Sequence, residues 1–288
     1  MQKARKVEKK CQQKNYLHPL KQPFIMDKKC IFITGAGRGI GRTTADYFAN
    51  KNWFVGLLDI NAADLEATAR AIGLDNCSVH VADVRDVEQL EAALGDFSRR
   101  THGQLNVLFN NAGFLRSGGF GKVPLETQKT IVDINFTGLM NVTHLALPLL
   151  KATPDSVIVN MCSASSVFGN PDLTAYAATK AAVKSLTEGW NMLFEKYNIH
   201  VTDLLPSYVD TRMVTDEQAT MQLDPRHIKL NVGDIAPVVW RAVHSRRRVH
   251  HYVGTDAHLL RWFRWLLPYP VFRLLIKKGF YEKSIAKN

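Results

Sequence analysis

The sequence is poor in cysteine, and its cysteines are not grouped. The 288 residues contain four, with no C-x-x-C pair and no histidine and cysteine spacing that suits zinc: Cys11, Cys30, Cys77 and Cys162. We therefore expect no metal site, and we expect reduced thiols in a cytoplasmic protein. Because Cys162 has no adjacent histidine, it is interpreted as a buried cysteine at a strand end rather than as a nucleophile.

A secretory signal and a simple membrane span are also missing. Residues 1–29 are polar and basic without an apolar stretch, so 1–27 is predicted to be a disordered arm. A spanning helix needs about 20 predominantly apolar residues. The extension 256–288 has three arginines and two prolines in its most apolar part. Its aromatic and basic residues leave two interpretations, a peripheral membrane contact or a helix packed on the body or across a subunit interface.

Acidic residues are scarce at both ends of the chain. The net charge is +11; residues 1–29 hold nine Lys and Arg against two acids, and 240–288 hold eleven against two. The middle, 30–239, holds seventeen against twenty-two. A mildly acidic body argues against a nucleic-acid-binding core, and the basic ends fit contact with an anionic surface.

A glycine-rich turn follows the first predicted strand, which begins at Cys30. The turn, TGAGRGIG at 34–41, opens a helix, and this context predicts a pyrophosphate site at the helix N-terminus. The next strand ends in Asp59, whose carboxylate can accept hydrogen bonds from both ribose hydroxyls and repels a 2′-phosphate. NAD is therefore the predicted cofactor. Arg38 could meet a 2′-phosphate, so NADP remains the alternative.

Strand and helix patterns alternate along 28–255 without an internal repeat. This alternation predicts one α/β domain with a Rossmann-type, doubly wound parallel sheet. Helices are expected over 62–72, 87–100 and 127–150, and strands over 78–82, from Val157 and over 199–206. Asn135 falls inside the longest of these helices, where asparagine is unfavourable. It is interpreted as a solvated position, a bend or an amide that fixes a water.

Three polar side chains follow or flank the strand that begins at Val157. Ser163 lies at its end, and Tyr176 and Lys180 are four residues apart on the next predicted helix, hence on one face. A phenol has a pKa of about 10, which a nearby ammonium lowers. The set suits proton transfer to a carbonyl or from an alcohol. The alternative is a packed tyrosine and a solvated lysine.

Five motifs in this order resemble the short-chain dehydrogenase/reductase family over 28–254: TGAGRGIG (34–41), ADV (82–84), NNAG (110–113), Ser163 with Tyr176 and Lys180, and PSYVDT (206–211). The resemblance implies that Tyr176 is the catalytic acid/base and that Ser163 polarises the substrate oxygen. Lys180 would lower the pKa of Tyr176 and hold the nicotinamide ribose, and Asn135 would hold a water of a proton relay.

The resemblance also implies a cofactor site and an oligomer. Asp83 and Val84 would line the adenine. The predicted cofactor-binding residues are Gly35, Arg38, Gly39, Ile40, Gly41, Asp59, Asp83, Val84, Asn111, Gly113, Tyr176, Lys180, Pro206, Val209 and Thr211. Ser207 stands where the family usually has glycine, which could alter the backbone there because serine tolerates positive φ less readily. A homodimer or homotetramer would form on the two long helices.

The substrate end is predicted to be apolar. A lid is expected over 213–230, and the residues that favour an apolar pocket are Met213, Val214, Met221 and Leu223 of the lid together with Phe114, Leu115 and Phe168. We therefore expect an NAD(H)-dependent oxidoreductase that interconverts a lipophilic secondary alcohol and a ketone. The alternatives are an NADPH-dependent carbonyl reductase and a non-catalytic dinucleotide-binding protein at a membrane surface.

Overall fold

The computed structural model describes residues 28–217 and 228–278. The predicted arm 1–27 lies outside these ranges, as do Met221 and Leu223 of the predicted lid and the last ten residues of the extension.

The described chain alternates between strands and helices, as predicted. The strands are β1 Cys30–Thr34, β2 Phe54–Asp59, β3 Cys77–Val81, β4 Val107–Asn110, β5 Val157–Met161, β6 His200–Pro206, β7 Val209–Asp210, β8 Leu230–Asn231 and β9 His250–Val253. The helices are α1 Gly39–Ala49, α2 Ala62–Ile72, α3 Val87–Arg100, α4 Leu125–Val132, α5 Leu139–Ala152, α6 Thr174–Phe194, α7 Arg212–Thr215, α8 Val232–His244, α9 Thr255–Leu266 and α10 Tyr269–Ile276.

Seven strands form one parallel sheet in the order β3-β2-β1-β4-β5-β6-β9. The chain turns back between β1 and β4, which are neighbours in the sheet. Such a reversal opens a crevice at the carboxyl ends of the strands. The predicted doubly wound α/β sheet is therefore confirmed, and its crevice lies beside the glycine-rich turn that follows β1.

The sheet is covered on both faces, which explains the continuous apolar runs of its strands. Ile31 and Ile33 of β1 belong to one core cluster, whereas Cys30 and Phe32 belong to the cluster on the opposite face. Successive side chains of a strand point to opposite faces, so each strand contributes to both layers. Because each strand packs against both layers, the strand ends that carry the candidate site are held in place.

The long helix predicted over 127–150 is interrupted in the structure. A π-helical turn, Asp133–Gly138, separates α4 from α5 and carries Asn135, which is buried. The solvated position considered for Asn135 is therefore wrong, and the helix is irregular where asparagine was found unfavourable. Single π turns inside helices are frequent at functional sites. Gly138 is required here because an added Cβ would lie 2.6 Å from Cγ2 of Val84.

The extension packs on the body through a few residues. Ala257 of α9 and Phe272 and Ile276 of α10 are buried, which confirms the interpretation of a helix packed on the body for these positions. Within the two described ranges, no helix combines the length and the apolarity that crossing a bilayer requires.

His80, in β3, makes the stability of the fold depend on pH. Burial lowers the pKa of His80 from 6.5 to about 4, against the opposing effect of Asp96. Between these pH values the unfolded chain binds a proton that the folded chain does not. The contribution of His80 to the free energy of unfolding, about 3 kcal/mol, is therefore fully present above pH 6.5 and is lost as the pH falls towards 4.

His80→Gln is expected to remove that part of the pH dependence. The free energy of unfolding, from urea titrations at several pH values, measures it for the variant and the parent protein. His144→Gln, at an exposed position, is the matched control and should keep the parental slope. Equal slopes for His80→Gln and the parent would contradict the assignment.

Candidate active site

The backbone of the glycine-rich turn requires glycine at three positions. Gly35 and Gly39 have φ values of +67° and +56°, which side chains other than glycine rarely adopt. Gly41, at the start of α1, lies so close to the turn that an added Cβ would be 2.0 Å from the carbonyl oxygen of Gly35. The backbone of the turn is thus packed directly against the helix.

The N-terminus of α1 suits a phosphate group. Arg38 precedes the helix without capping it through its side chain, and the first turn of α1 contains no acidic residue. The first backbone N–H groups of a helix have no intrahelical partner, and the helix dipole favours an anion there. The residues present therefore fit the pyrophosphate of a dinucleotide.

Gly41→Ala is expected to abolish dinucleotide binding and to destabilise the protein, because the added methyl group has no room beside Gly35. Gly189→Ala is the matched control. Gly189 is exposed in α6, and a Cβ there meets nothing within 4 Å, so alanine should stabilise the helix by about 0.5–1 kcal/mol. Thermal unfolding and NADH titration measure both. Unchanged NADH affinity in Gly41→Ala would contradict the proposed packing.

Asp59 ends β2 beside the glycine-rich turn. Its carboxylate accepts hydrogen bonds from the backbone N–H of Gly37 at 3.0 Å and of Asn61 at 3.1 Å. These bonds fix the carboxylate at the cavity wall that Arg38 and Ile40 also line. The structure therefore brings together both residues on which the choice between NAD and NADP was based.

Asp83 and Val84 line the same cavity, as expected for the adenine end. The Asp83 carboxylate is also engaged by Arg85, whose guanidinium donates to it at 2.6 to 3.0 Å. The hydrogen bond from Arg85 lowers the pKa of Asp83. Arg85 is thus a cavity residue that sequence reasoning missed.

Asn111 connects two strands at the cavity floor. Its side-chain amide donates to the carbonyl oxygens of Thr34 at 3.0 Å and Gly35 at 3.1 Å, and its backbone N–H donates to Thr34 Oγ1. It thereby holds the end of β4 against the glycine-rich turn. Gly113 lies nearby, where an added Cβ would be 3.9 Å from Nζ of Lys180.

Lys180 is buried, and its ammonium is held in place. Nζ donates to the carbonyl oxygen of Met161 at 2.7 Å and lies 5.6 Å from the ring centroid of Tyr176. Burial lowers the pKa of Lys180 to about 8. The alternative of a solvated lysine is therefore wrong.

Tyr176 and Ser163 meet at the end of β5. Burial raises the pKa of Tyr176 above its ordinary value, and a side-chain hydrogen bond with Ser163 partly opposes this rise. The expectation that Lys180 gives Tyr176 a lowered pKa is not met in this arrangement, because burial raises that pKa more than the Ser163 hydrogen bond lowers it, and the ammonium of Lys180 donates to the Met161 carbonyl.

Cys162, adjacent to Ser163, is an inert thiol. It is buried, and its Sγ donates to the carbonyl oxygen of Lys180 at 3.1 Å. Burial raises its pKa to about 12, so the thiolate that a nucleophile requires is not formed near neutral pH. The sequence interpretation of a buried cysteine at a strand end is confirmed.

Asn135 clamps the loop after β4. Its side-chain oxygen accepts from the backbone N–H of Phe114 at 2.7 Å, and its amide donates to the Phe114 carbonyl at 2.9 Å and to Thr179 Oγ1 at 3.3 Å. Thr179 in turn donates to the carbonyl of Tyr176 at 2.7 Å. These bonds connect the π turn to the helix that carries Tyr176. Fixing a water stays a prediction.

Pro206, Val209 and Thr211 also line the cavity. Ser207 does not have a positive φ, so the expected backbone strain is absent. Its backbone N–H donates to the Val253 carbonyl at 3.1 Å. The serine side chain instead occupies the space beside Gly254, where an added Cβ would lie 2.6 Å from Ser207 Oγ.

A cavity of about 800 Å³ runs from Asp59 past Tyr176 to the extension. All five apolar residues predicted for the substrate end within the described ranges line it: Phe114, Leu115, Phe168, Met213 and Val214. Residues that sequence reasoning missed also line it: Asn170, Leu173, Tyr208, Leu259, Leu260 and Phe263. Tyr208 belongs to the PSYVDT motif, which was the only signal for it.

Tyr208 brings a second phenol to this part of the cavity. Burial raises its pKa to about 12, and its proximity contributes to the raised pKa of Tyr176.

No cluster of histidine, cysteine and carboxylate side chains that could hold a metal ion occurs within 28–217 and 228–278.

Comparisons with known proteins agree with this geometry. Residues 29–222 match the family model described as short chain dehydrogenase. Oxidoreductase UcpA of Salmonella typhimurium is 36% identical over 200 residues, which cover 68% of this chain and 74% of that protein. The 3-oxoacyl-[acyl-carrier-protein] reductase FabG of Thermotoga maritima is 31% identical over 190 residues, covering 65% and 77%.

A solved structure shares the fold as well. The 3-ketoacyl-(acyl-carrier-protein) reductase of Brucella melitensis, complexed with NADH, superimposes with a TM-score of 0.72 at 26% identity. The alignment covers 78% of this chain and 96% of that one.

Proposed function

This chain belongs to the short-chain dehydrogenase family of oxidoreductases, and from that premise we propose that it is an NAD(H)-dependent enzyme that interconverts a lipophilic secondary alcohol and a ketone. The observation that carries the proposal is the convergence of Ser163, Tyr176 and Lys180 on the cavity that also contains the glycine-rich turn and Asp59.

The three side chains supply the proton chemistry of such a reaction. With a raised pKa, Tyr176 holds its proton near neutral pH and donates it to a ketone oxygen in the reductive direction. Ser163 hydrogen-bonds the same oxygen and orients it. Lys180 contributes a positive charge beside the ring of Tyr176. A bound nicotinamide dinucleotide would supply or accept the hydride.

NAD is favoured over NADP by the fixed position of Asp59. Its carboxylate would accept hydrogen bonds from the adenosine ribose and would repel a 2′-phosphate. The second candidate function, an NADPH-dependent carbonyl reductase, is supported by Arg38, which is exposed on the same cavity wall. Gly35, Gly39 and Gly41 would hold the pyrophosphate in either case.

A lipophilic substrate is favoured by the lining of the cavity beyond Tyr176. This part is made mainly of aliphatic and aromatic side chains from the β4 loop, the segment after β5, α7 and α9: Phe114, Leu115, Phe168, Leu173, Met213, Val214, Leu259, Leu260 and Phe263. Apolar substrate area that is buried in the cavity would contribute about 25 cal/mol per Å² to the free energy of binding. A small polar alcohol would gain little from this lining.

Assembly as a homodimer or homotetramer through α5 and α6 is part of the proposal. The C-terminal half of α6 exposes Met192 and Leu193, at 70% and 55% of their surface. Apolar side chains of this size on one helix end are typical of a subunit contact.

The experiment is NADH and NADPH titration of the purified protein, followed by turnover of secondary alcohols of increasing apolar size. We expect tighter NADH binding and a kcat/KM that rises with apolar bulk. Preference for NADPH would favour the carbonyl reductase. Binding without turnover of any alcohol or ketone would contradict the enzyme and favour a dinucleotide-binding protein without catalysis.

A further inference from the structure

The two helices of the extension, α9 and α10, bury little of their apolar surface. Phe272 and Ile276, one turn apart on α10, face the body, and the ring of Phe272 contacts that of Phe168 at 6.3 Å between centroids. Arg264 lies over the Phe272 ring at 5.8 Å. These contacts fix the position of the helices and leave their other faces exposed.

The apolar side chains that these two helices leave exposed are here called the C-terminal surface. Its most exposed members are Trp265 at 76%, Tyr269 at 63% and Leu266 at 60%. The apolar residues of the C-terminal surface are Leu259, Trp262, Phe263, Trp265, Leu266, Tyr269, Val271, Leu274 and Leu275. On α9, Leu259, Trp262 and Leu266 follow a helical spacing of three and four residues. Exposed apolar side chains in such number on two short helices mark an interaction site.

The charges around the C-terminal surface are almost all positive. Within 255–278 there are five Lys and Arg residues, and the one acid, Asp256, is paired with Lys229 at 3.1 Å. The cations are Arg261, Arg264, Arg273, Lys277 and Lys278. A surface with aromatic rings between cations matches an anionic lipid interface, where rings enter the headgroup region and cations meet phosphates.

We propose that the C-terminal surface docks the protein onto an anionic lipid bilayer. A second copy of the chain is the less suitable occupant because it would bring a second set of the same positive charges to the contact. α9 has 12 residues, which at 1.5 Å each reach about 18 Å, so the helix lies along a bilayer and does not cross it.

The docked orientation would place the cavity at the lipid. Leu259 and Phe263 belong to the C-terminal surface and also line the cavity, so the apolar surface continues from the outside to the substrate end. A lipophilic substrate could therefore enter from the bilayer without crossing water. This last step rests on the proposed function, whereas docking itself does not.

Flotation of the full chain with vesicles tests docking without any substrate. We expect binding to phosphatidylcholine vesicles that contain phosphatidylglycerol, and about tenfold weaker binding to phosphatidylcholine alone. The variant Trp262→Ser/Trp265→Ser should bind the anionic vesicles about tenfold less tightly. Neither residue lines the cavity, so its NADH affinity and thermal stability should remain those of the parent.

Matched controls separate surface position from composition. Leu74→Ser removes an apolar side chain that is 68% exposed on the opposite part of the fold and should leave vesicle binding unchanged. Arg273→Gln/Lys277→Gln/Lys278→Gln should weaken binding to the vesicles that contain phosphatidylglycerol and should leave binding to pure phosphatidylcholine vesicles unchanged. Arg70→Gln/Arg99→Gln/Arg247→Gln removes the same charge elsewhere and should have a smaller effect.

Three results would overturn the proposal. The first is that the parent protein does not float with anionic vesicles, and the second is that the Trp262→Ser/Trp265→Ser variant floats as well as the parent. The third is that this double variant keeps vesicle binding but changes from dimer to monomer in light scattering, which would assign the surface to a second copy. If the parent protein binds anionic vesicles but turns over no secondary alcohol or ketone, the proposed function is rejected and the docking proposal stands.

Discussion

Tyr176→Phe is expected to lower kcat by about 10³-fold while NADH affinity stays within about twofold of the parent value. The substitution removes the phenol hydroxyl that is hydrogen-bonded to the Ser163 side chain and that would exchange a proton with a substrate oxygen. General acid–base groups contribute about 10² to 10⁴ in rate. The ring remains, so the wall of the cavity is unchanged. Steady-state turnover and NADH titration measure the two quantities.

Tyr208→Phe is the matched control, because Tyr208 lines the same cavity and has a raised pKa of about 12 for the same reason, burial. Its hydroxyl is associated with Asn170 rather than with Ser163. We expect less than about a tenfold loss of kcat in this variant. A larger loss for Tyr208→Phe than for Tyr176→Phe would show that the second phenol is the acid.

The pH dependence of turnover follows from the two pKa directions at the site. Because the pKa of Tyr176 is raised, its neutral form dominates at pH 7, and ketone reduction should be constant between about pH 6 and 7. Alcohol oxidation needs the phenolate and should rise about tenfold per pH unit. Above pH 8 that rise should flatten, since Lys180, with its pKa lowered to about 8, loses its charge.

The fold was predictable because hydrophobic periodicity reports local structure directly. The bounds of α2 and α3 agree with the sequence prediction, and α6 begins at Thr174 as expected. The strand ends then follow, because buried strands in a parallel sheet stop where small and polar residues begin. The sequence also identified Asp59, Ser163 and Tyr176 as cavity residues, since motifs at strand ends share one edge of the sheet.

What the sequence did not provide was long-range packing and its electrostatic effect. Phe263 lies one hundred residues after Ser163 in the chain, and only the folded position of α9 brings both to one cavity. The spacing of Tyr176 and Lys180 indicated a lowered phenol pKa. The spacing carries no information on desolvation or on the Met161 carbonyl that binds the ammonium, and these reverse the direction. Hydrophobic periodicity likewise could not reveal the π turn at Asn135, because it predicts only that the segment is helical.

Asp59→Ala is expected to change the ratio of NADH to NADPH affinity by about 100-fold in favour of NADPH. The substitution removes an acceptor for ribose hydroxyls and the charge that repels a 2′-phosphate. A hydrogen bond to a charged group contributes about 1.5–3 kcal/mol, and each 1.4 kcal/mol is a tenfold change in affinity. The exposed Arg38 on the same wall is then free to contact the phosphate.

Three further variants separate charge from loop structure, because Asp59 also accepts from the backbone N–H of Gly37. Asp59→Asn keeps an acceptor oxygen and removes the charge, so it should gain NADPH affinity without loosening the turn. Asp64→Ala, at a neighbouring acid that lines the same wall, should leave the preference within about threefold. Asp59→Ala/Arg38→Ala should lose the gained NADPH affinity. An NADPH preference in the parent protein would contradict the argument from Asp59, since the repulsive carboxylate would then be outweighed by Arg38.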